Sequence, residues 1–368
     1  MRFENMNFKL FWCTSLLALL CINAQAQVTG GQFSFEYLRL SNSPHVSALG
    51  GINVAHPGAD VSLAMQNPAL MRPELHNNLS LNYNNFYADI SNANLAYGYF
   101  LPKLNTAFAL GVQYMNYGNF AATDEVGNTI GNFKANDYTL SLAASRQYRE
   151  HWRYGATLKF AQSSLADWKA SALLADIGVC YEDTANLLTI GAVAKNMGGM
   201  INKYTPGSAA EPLPFDLQLG ISKRFKHLPL RLFGTVHHLY EWDIRYDNAA
   251  DNNTNKVFGT SDTTQSNHFA DKLFRHFIFG GELTIAKRLT VTVAYNHLRR
   301  RELSVDSKRG ATGYSFGGNI NLNKFQVYYA RSYYSIAGPY NEFGLNIQLN
   351  KLFGGGPVWK ATYPKWEE

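Results

Sequence analysis

Five charged residues spread along the chain, Lys159, Asp176, Asp216, Arg231 and Glu282, are the first groups whose types could do chemistry. Two adjacent histidines, His237 and His238, and the run Arg299-Arg300-Arg301 complete the set. The histidines could hold a metal only if both rings reached one point. They fall in an alternating segment, and neighbouring side chains on a strand face opposite sides. They therefore do not chelate as histidines four apart on a helix do. A Ser-His-acid hydrolase needs a nucleophile held against a base, and nothing in the spacing of the many serines here sets one against a His-acid pair. No phosphate-cradling glycine loop or dinucleotide fingerprint occurs either. An enzyme is not expected, nor is a cofactor or a metal. The arginine run is suited to phosphate, which guanidinium groups bind bidentately.

These residues sit in a chain built for strands. Phe108, Leu110, Val112 and Tyr114 alternate with small or polar residues, as do Leu289, Val291, Val293 and Tyr295. Fourteen such segments begin near Leu79, Ala93, Thr106, Asp137, Trp152, Ala170, Leu187, Phe215, Pro229, Arg275, Leu289, Thr312, Lys324 and Tyr340. Each is about ten residues long, the length a tilted strand needs to cross a bilayer. Every second connection reads as a tight turn, for instance Pro102-Lys103-Leu104, Asp183-Thr184-Ala185 and Lys287-Arg288. The others read as longer loops, notably Gly118 to Asn136, Met197 to Pro214 and Glu241 to Phe274. Short turns on one side and long loops on the other mark an outer-membrane barrel rather than a β-sandwich. Tyr83, Tyr99, Tyr114, Trp152 and Tyr181 fall at strand ends, where interfacial aromatic girdles belong. The expected fold is all-β, a 14-stranded antiparallel transmembrane barrel.

Composition agrees. Charged residues are 16% of the 368, against about 25% in an ordinary soluble domain. Aromatics reach 14% while mean hydropathy is only -0.23, so the apolar residues are dispersed. That excludes a bundle of apolar membrane helices, and the abundance of Tyr, Phe and Leu excludes disorder.

At the N-terminus, Arg2 and Lys9 precede an apolar run from Leu10 to Ile22 and the small-residue site Ala24-Gln25-Ala26. This is a secretory signal peptide over residues 1–26, too short an apolar run for a membrane anchor. A lipoprotein reading through Cys21 is disfavoured by Leu20 before it. Removing Arg2, Lys9 and Glu4 leaves 31 basic against 26 acidic residues, and only Cys180. No disulfide can form within the mature chain. The basic residues are scattered and the protein is exported, so nucleic acid is not a partner. Residues 27–76 lack alternation and read as a segment at the periplasmic mouth or in the lumen, residues 77–350 as the barrel, and residues 351–368 as a periplasmic tail.

Alternation turns Lys159, Asp176, Asp216, Arg231 and Glu282 toward the lumen. Lys159 with Asp176, and Asp216 with Arg231, lie on neighbouring strands and could pair, most simply as a network filling the barrel. Arg299, Arg300 and Arg301 are expected at the base of a surface loop. There they would face headgroups in solvent, or contact lipopolysaccharide phosphate.

Gly50-Gly51, Asp60-Val61-Ser62 and Asn67-Pro68-Ala69-Leu70 resemble the N-terminal region of the FadL-like outer-membrane family. Gly30-Gly31-Gln32-Phe33-Ser34-Phe35-Glu36, Leu79-Ser80-Leu81-Asn82-Tyr83 and Asp124-Glu125-Val126-Gly127-Asn128 resemble its PorQ branch, from the type IX secretion system of Bacteroidota. The likeness covers nearly the whole mature chain, densest before Tyr138. It implies a 14-stranded barrel with an N-terminal hatch carrying the motif Asn67-Pro68-Ala69. It also implies a non-enzymatic outer-membrane scaffold that holds a PorZ-like surface protein and, through it, the protease PorU and the barrel PorV, which process cargo and join it to lipopolysaccharide. The alternative within the same family is a transporter of hydrophobic compounds.

Overall fold

The computed structural model describes residues 33–354, apart from 89, 208, 210, 245–268, 287, 304–309 and 336–337. The signal-peptide segment, most of the loop after Glu241 and most of the C-terminal tail lie outside the described residues.

Fourteen strands form one closed antiparallel barrel. They are β1 (Asn78–Asn85), β2 (Ser91–Leu101), β3 (Thr106–Thr123), β4 (Thr129–Tyr148), β5 (Trp152–Leu165), β6 (Trp168–Asp183), β7 (Leu188–Asn202), β8 (Asp216–Arg224), β9 (Leu230–Val236), β10 (Phe277–Ile285), β11 (Leu289–Asn296), β12 (Tyr314–Leu322), β13 (Phe325–Ser335) and β14 (Gly338–Gln348). Each pairs with its neighbours in sequence, and β1 closes the sheet on β14 from Asn78↔Gln348 to Asn85↔Asn341. Closure leaves no unpaired sheet edge.

Period-2 alternation becomes an inside and an outside. On β5, Thr157 and Lys159 are buried while Leu158 between them is 54% exposed. Leu110, Leu142, Ile177, Leu219, Phe279 and Val291 are likewise exposed around the wall. A contiguous apolar exterior on this scale is not sustained by a soluble monomer. The exterior is a surface for lipid, and no described helix is long and apolar enough to cross a membrane.

Two expectations change. The segment from Gly118 to Asn136 is largely strand: β3 and β4 run on to a turn in which the Asp124 carboxylate accepts from the backbone N–H of Val126 and Asn128. Alternation persists there, and Phe120 stacks on Phe133 across the hairpin. β7 similarly continues to Asn202, past Met197. The wall is therefore uneven: β4 has 20 residues, about 66 Å of strand at about 3.3 Å each, while β9 has seven.

Trp152 marks the turn-side end of β5. Six residues on, along a strand tilted by about 40°, Leu158 lies about 15 Å deeper, near mid-bilayer. Leu158→Arg should cost about 2–4 kcal/mol in chemical unfolding from lipid vesicles; a change below about 0.5 kcal/mol would place Leu158 outside the apolar belt.

Candidate functional site

The barrel is not hollow. The chain from Ser34 to Leu75 lies within it, built from short capped turns rather than strands. Ser43 caps α1 (Pro44–Ala48), its hydroxyl accepting from Val46 N–H. Asp60 caps α2 (Val61–Ala64), accepting from Ser62 N–H at 2.9 Å. Asn67 caps the 3-10 turn Pro68–Leu70, accepting from Ala69 N–H at 3.0 Å. Such caps satisfy backbone donors that strand pairing cannot reach in this segment.

The Asn67-Pro68-Ala69 motif is fully buried, and Asn67 Nδ2 also donates to Val54 O at 2.7 Å. Three inward-facing wall glycines make room for it. A Cβ at Gly178 would stand 2.0 Å from Asn67 Oδ1, one at Gly155 2.7 Å from the Pro68 carbonyl carbon, and one at Gly191 2.3 Å from Val54 O. Sequence reasoning missed these glycines. Their signal was glycine at inward positions on three consecutive strands.

Polar contacts fasten the segment around the wall. Lys195 Nζ donates to Gln66 Oε1 at 2.6 Å, and Arg72 pairs with Glu182 at 3.1 Å. Arg231 Nη1 donates to Pro57 O at 2.9 Å. Glu282 Oε2 meets His45 Nε2 at 3.4 Å and His56 Nε2 at 3.2 Å. Between these contacts, Val46, Leu49 and Leu63 pack against Phe233 and Ala294. Beside the segment lies a cavity of about 50 Å³, lined by residues including Leu38, Met65, Gln66, Lys159 and Lys195. On the lipid face a concavity of about 510 Å³ is lined by Leu81, Tyr83, Leu95, Tyr114, Val327 and Phe343.

Lys159 and Asp176 meet as expected, at 2.5 Å, with Lys159 also donating to Asn196 Oδ1. Asp216 and Arg231 do not meet. The hairpin pairs Arg224 with Arg231, which leaves Asp216 at the far end of β8. Arg231 instead faces Glu282 in register on β10, and Asp216 accepts from Gln218 Nε2 and His238 N–H.

The arginine run is not a surface cluster. Asn296 caps α4 (His297–Glu302), so three consecutive residues diverge by about 100° each. Arg299 is buried, its guanidinium 4.4 Å from the centre of the Tyr334 ring and packed on Gly51. Arg300 donates to Gly310 O at 2.7 Å, and Arg301 donates to Asp271 Oδ1 at 2.7 Å. Asp271, on α3 (Phe269–Arg275), also accepts from Arg275, which reaches Glu302 on α4. For Arg299, burial removes the expected contact with a headgroup or lipopolysaccharide.

The histidine pair also departs from expectation. β9 ends at Val236, and His238 adopts φ 55°, so the alternation that would have separated the rings stops. His237 Nδ1 and His238 Nδ1 lie 2.6 Å apart, one N–H shared between them, with Asp216 Oδ2 3.9 Å from His238 Nδ1. Burial lowers His238 to about 4 against the pull of the Asp216 charge, and His237 falls well below its ordinary value for the same reason. Both rings are neutral at physiological pH.

No protein-family model matches the chain, and no curated relative does. Among solved structures it is similar to a deletion mutant of the TodX monoaromatic hydrocarbon channel, at 14% identity over 84% of this chain and 97% of that one, TM-score 0.48. It is similar to the CymD monoaromatic hydrocarbon channel, at 13% identity, 84% and 97% coverage and TM-score 0.47. It is also similar to a FadL homologue of Pseudomonas aeruginosa, at 11% identity, 79% and 94% coverage and TM-score 0.42.

Lys159→Met would leave the Asp176 carboxylate buried without its cation. A loss of about 3–5 kcal/mol is expected in urea unfolding, much of it recovered by adding Asp176→Leu. A separate check concerns the α3–α4 pin. Burial raises the Asp271 carboxyl, but hydrogen bonds and charge from Arg275 and Arg301 outweigh this and hold it at about 2, below the ordinary 3.8. Its contribution is therefore present above about pH 4 and lost as pH falls through about 2. Thermal scans of wild type and Asp271→Asn should differ at neutral pH and converge on acidification.

Proposed function

We propose that the protein is a non-enzymatic outer-membrane barrel whose lumen is closed by its own N-terminal segment, and that it acts as a scaffold rather than a conduit. The observation that carries this reading is the filled lumen. The segment is bonded to β6, β7, β9 and β10, and packs its glycine-seated turn on β5, β6 and β7. The cavity beside Met65 and Gln66, about 50 Å³, is well short of the roughly 150 Å³ of a cavity that accepts benzene. Opening a path would expose Glu282, Arg72 and Asp60, which are buried in this arrangement, at a cost that rises with each broken charge contact.

The partner follows from the sequence resemblance to the PorQ branch. In that reading the barrel anchors a PorZ-like surface protein, and through it PorU and PorV, for cargo modification and attachment to lipopolysaccharide. The tall wall of β3 to β7 supplies the outward surface in this reading.

A second reading, transport of a hydrophobic compound, is the one the hydrocarbon-channel neighbours would suggest. Its own observation here is the apolar concavity beside the β14–β1 seam. There Leu81, Tyr83 and Phe343 could receive a ligand leaving through the wall.

Deletion of the gene in the source bacterium separates the two. Under the scaffold reading, cargo with a type IX C-terminal signal leaves the cell without lipopolysaccharide, and the surface partner is lost from the envelope. Normal cargo processing, together with reduced uptake of a labelled fatty acid, would instead establish the transporter.

A further inference from the structure

Two clusters among the described residues bring three metal-ligating side chains within 4.8 Å of one another: His45, His56 and Glu282 in the lumen, and Asp216, His237 and His238 at the rim. The first is complete without an ion. Both imidazoles already bond the Glu282 carboxylate, and the Arg231 guanidinium stands 3.3 Å from His56 Nε2. A fixed cation at that distance opposes a second one.

Around the rim cluster the cations are engaged elsewhere: Arg39 Nη2 donates to Phe215 O at 3.4 Å, and Lys195, opposite Asp216 on β7, donates to Gln66 Oε1. Among the described residues no Lys or Arg lies within 4.0 Å of the Asp216 carboxylate, which is 3% exposed and held only by neutral N–H groups and a distant imidazole. The two Nδ1 atoms point at each other rather than at separate partners. His237 is 1% exposed. A buried carboxylate with no cation in contact, beside two converging imidazole nitrogens, is a donor set suited to a divalent cation.

We propose that Asp216, His237 and His238 bind a first-row divalent transition-metal ion, of which zinc is the representative. The ion ties the start of β8 to the base of the β9–β10 connection. A carboxylate oxygen and two imidazole nitrogens are ligands of borderline metals rather than of calcium or magnesium. At bond lengths of about 2.1 Å, tetrahedral ligands stand about 3.4 Å apart. The Nδ1 pair at 2.6 Å must open and the Asp216–His238 separation of 3.9 Å must close, each by less than 1 Å. Rotation about the side-chain bonds of two rings supplies this without moving the sheet. His276 fixes the neighbouring backbone, its Nδ1 donating to His237 O at 2.8 Å, so the chain that carries the ligands is already held.

The test uses the purified full-length protein in detergent, stripped with a chelator and dialysed against Zn²⁺ alone. The wild type should retain one more zinc per chain than the His237→Ala/His238→Ala double variant. His238→Ala alone should weaken that binding by about tenfold or more, and His56→Ala should leave it unchanged. Cu²⁺ loaded into the wild type should show electron-spin couplings from two imidazole nitrogens, a readout that needs no variant to fold. Equal zinc retention by wild type and double variant would overturn the proposal. So would loss on His56→Ala with retention in His238→Ala, which would move the ion to the lumen.

Discussion

Every backbone N–H and C=O that faces lipid must find its partner within the protein, since the hydrocarbon offers none. A chain that alternates apolar and polar residues meets this demand only by closing its sheet, and β1 pairing with β14 is that closure. Closure then poses a second problem. Fourteen strands enclose more volume than their inward side chains fill, and many of those side chains are small: Gly155, Gly178, Gly191, Ala143 and Ala161. The N-terminal segment fills that volume with its own backbone, approaching the wall where no Cβ intervenes.

A polar segment packed against a polar wall brings charges out of water, and each must be matched. Glu182 and Glu282 answer Arg72 and Arg231, and Asp176 answers Lys159. These pairs add little net stability over an apolar packing. What they do is fix one arrangement of segment and barrel, because any slippage would leave a buried charge without its partner. Among the described residues, Asp60, Asp216 and Glu342 are buried without an ion pair, and neutral donors serve them instead: Ser62 N–H for Asp60, Gln218 Nε2 and His238 N–H for Asp216, and Asn84 Nδ2 for Glu342.

At the outer rim the strands hand over to short helices. Asn296 ends β11 and caps α4, which turns Arg299 into the barrel mouth and leaves Arg301 to join Asp271 on α3. The mouth is thereby braced by ion pairs on the side opposite the tall β3–β7 wall. The two halves of the rim differ in construction: extended hairpins on one, helices joined by salt bridges on the other.

Alternation alone determined much of this. It located fourteen strands, told their inner residues from their outer ones, and placed Lys159 beside Asp176, because side-chain direction on a strand is a local property with a period of two. It failed where a local rule stopped applying. His237 and His238 were assigned to opposite faces, but β9 ends one residue earlier and a left-handed His238 brings the rings together. Arg299-Arg300-Arg301 read as one surface patch, until a helix sent its members three ways. Asp216 and Arg231 are on adjacent strands, yet the hairpin register separates them. Only the tertiary structure decided how residues 34–75 thread the lumen, since those contacts join positions far apart in sequence through turns that carry no period at all.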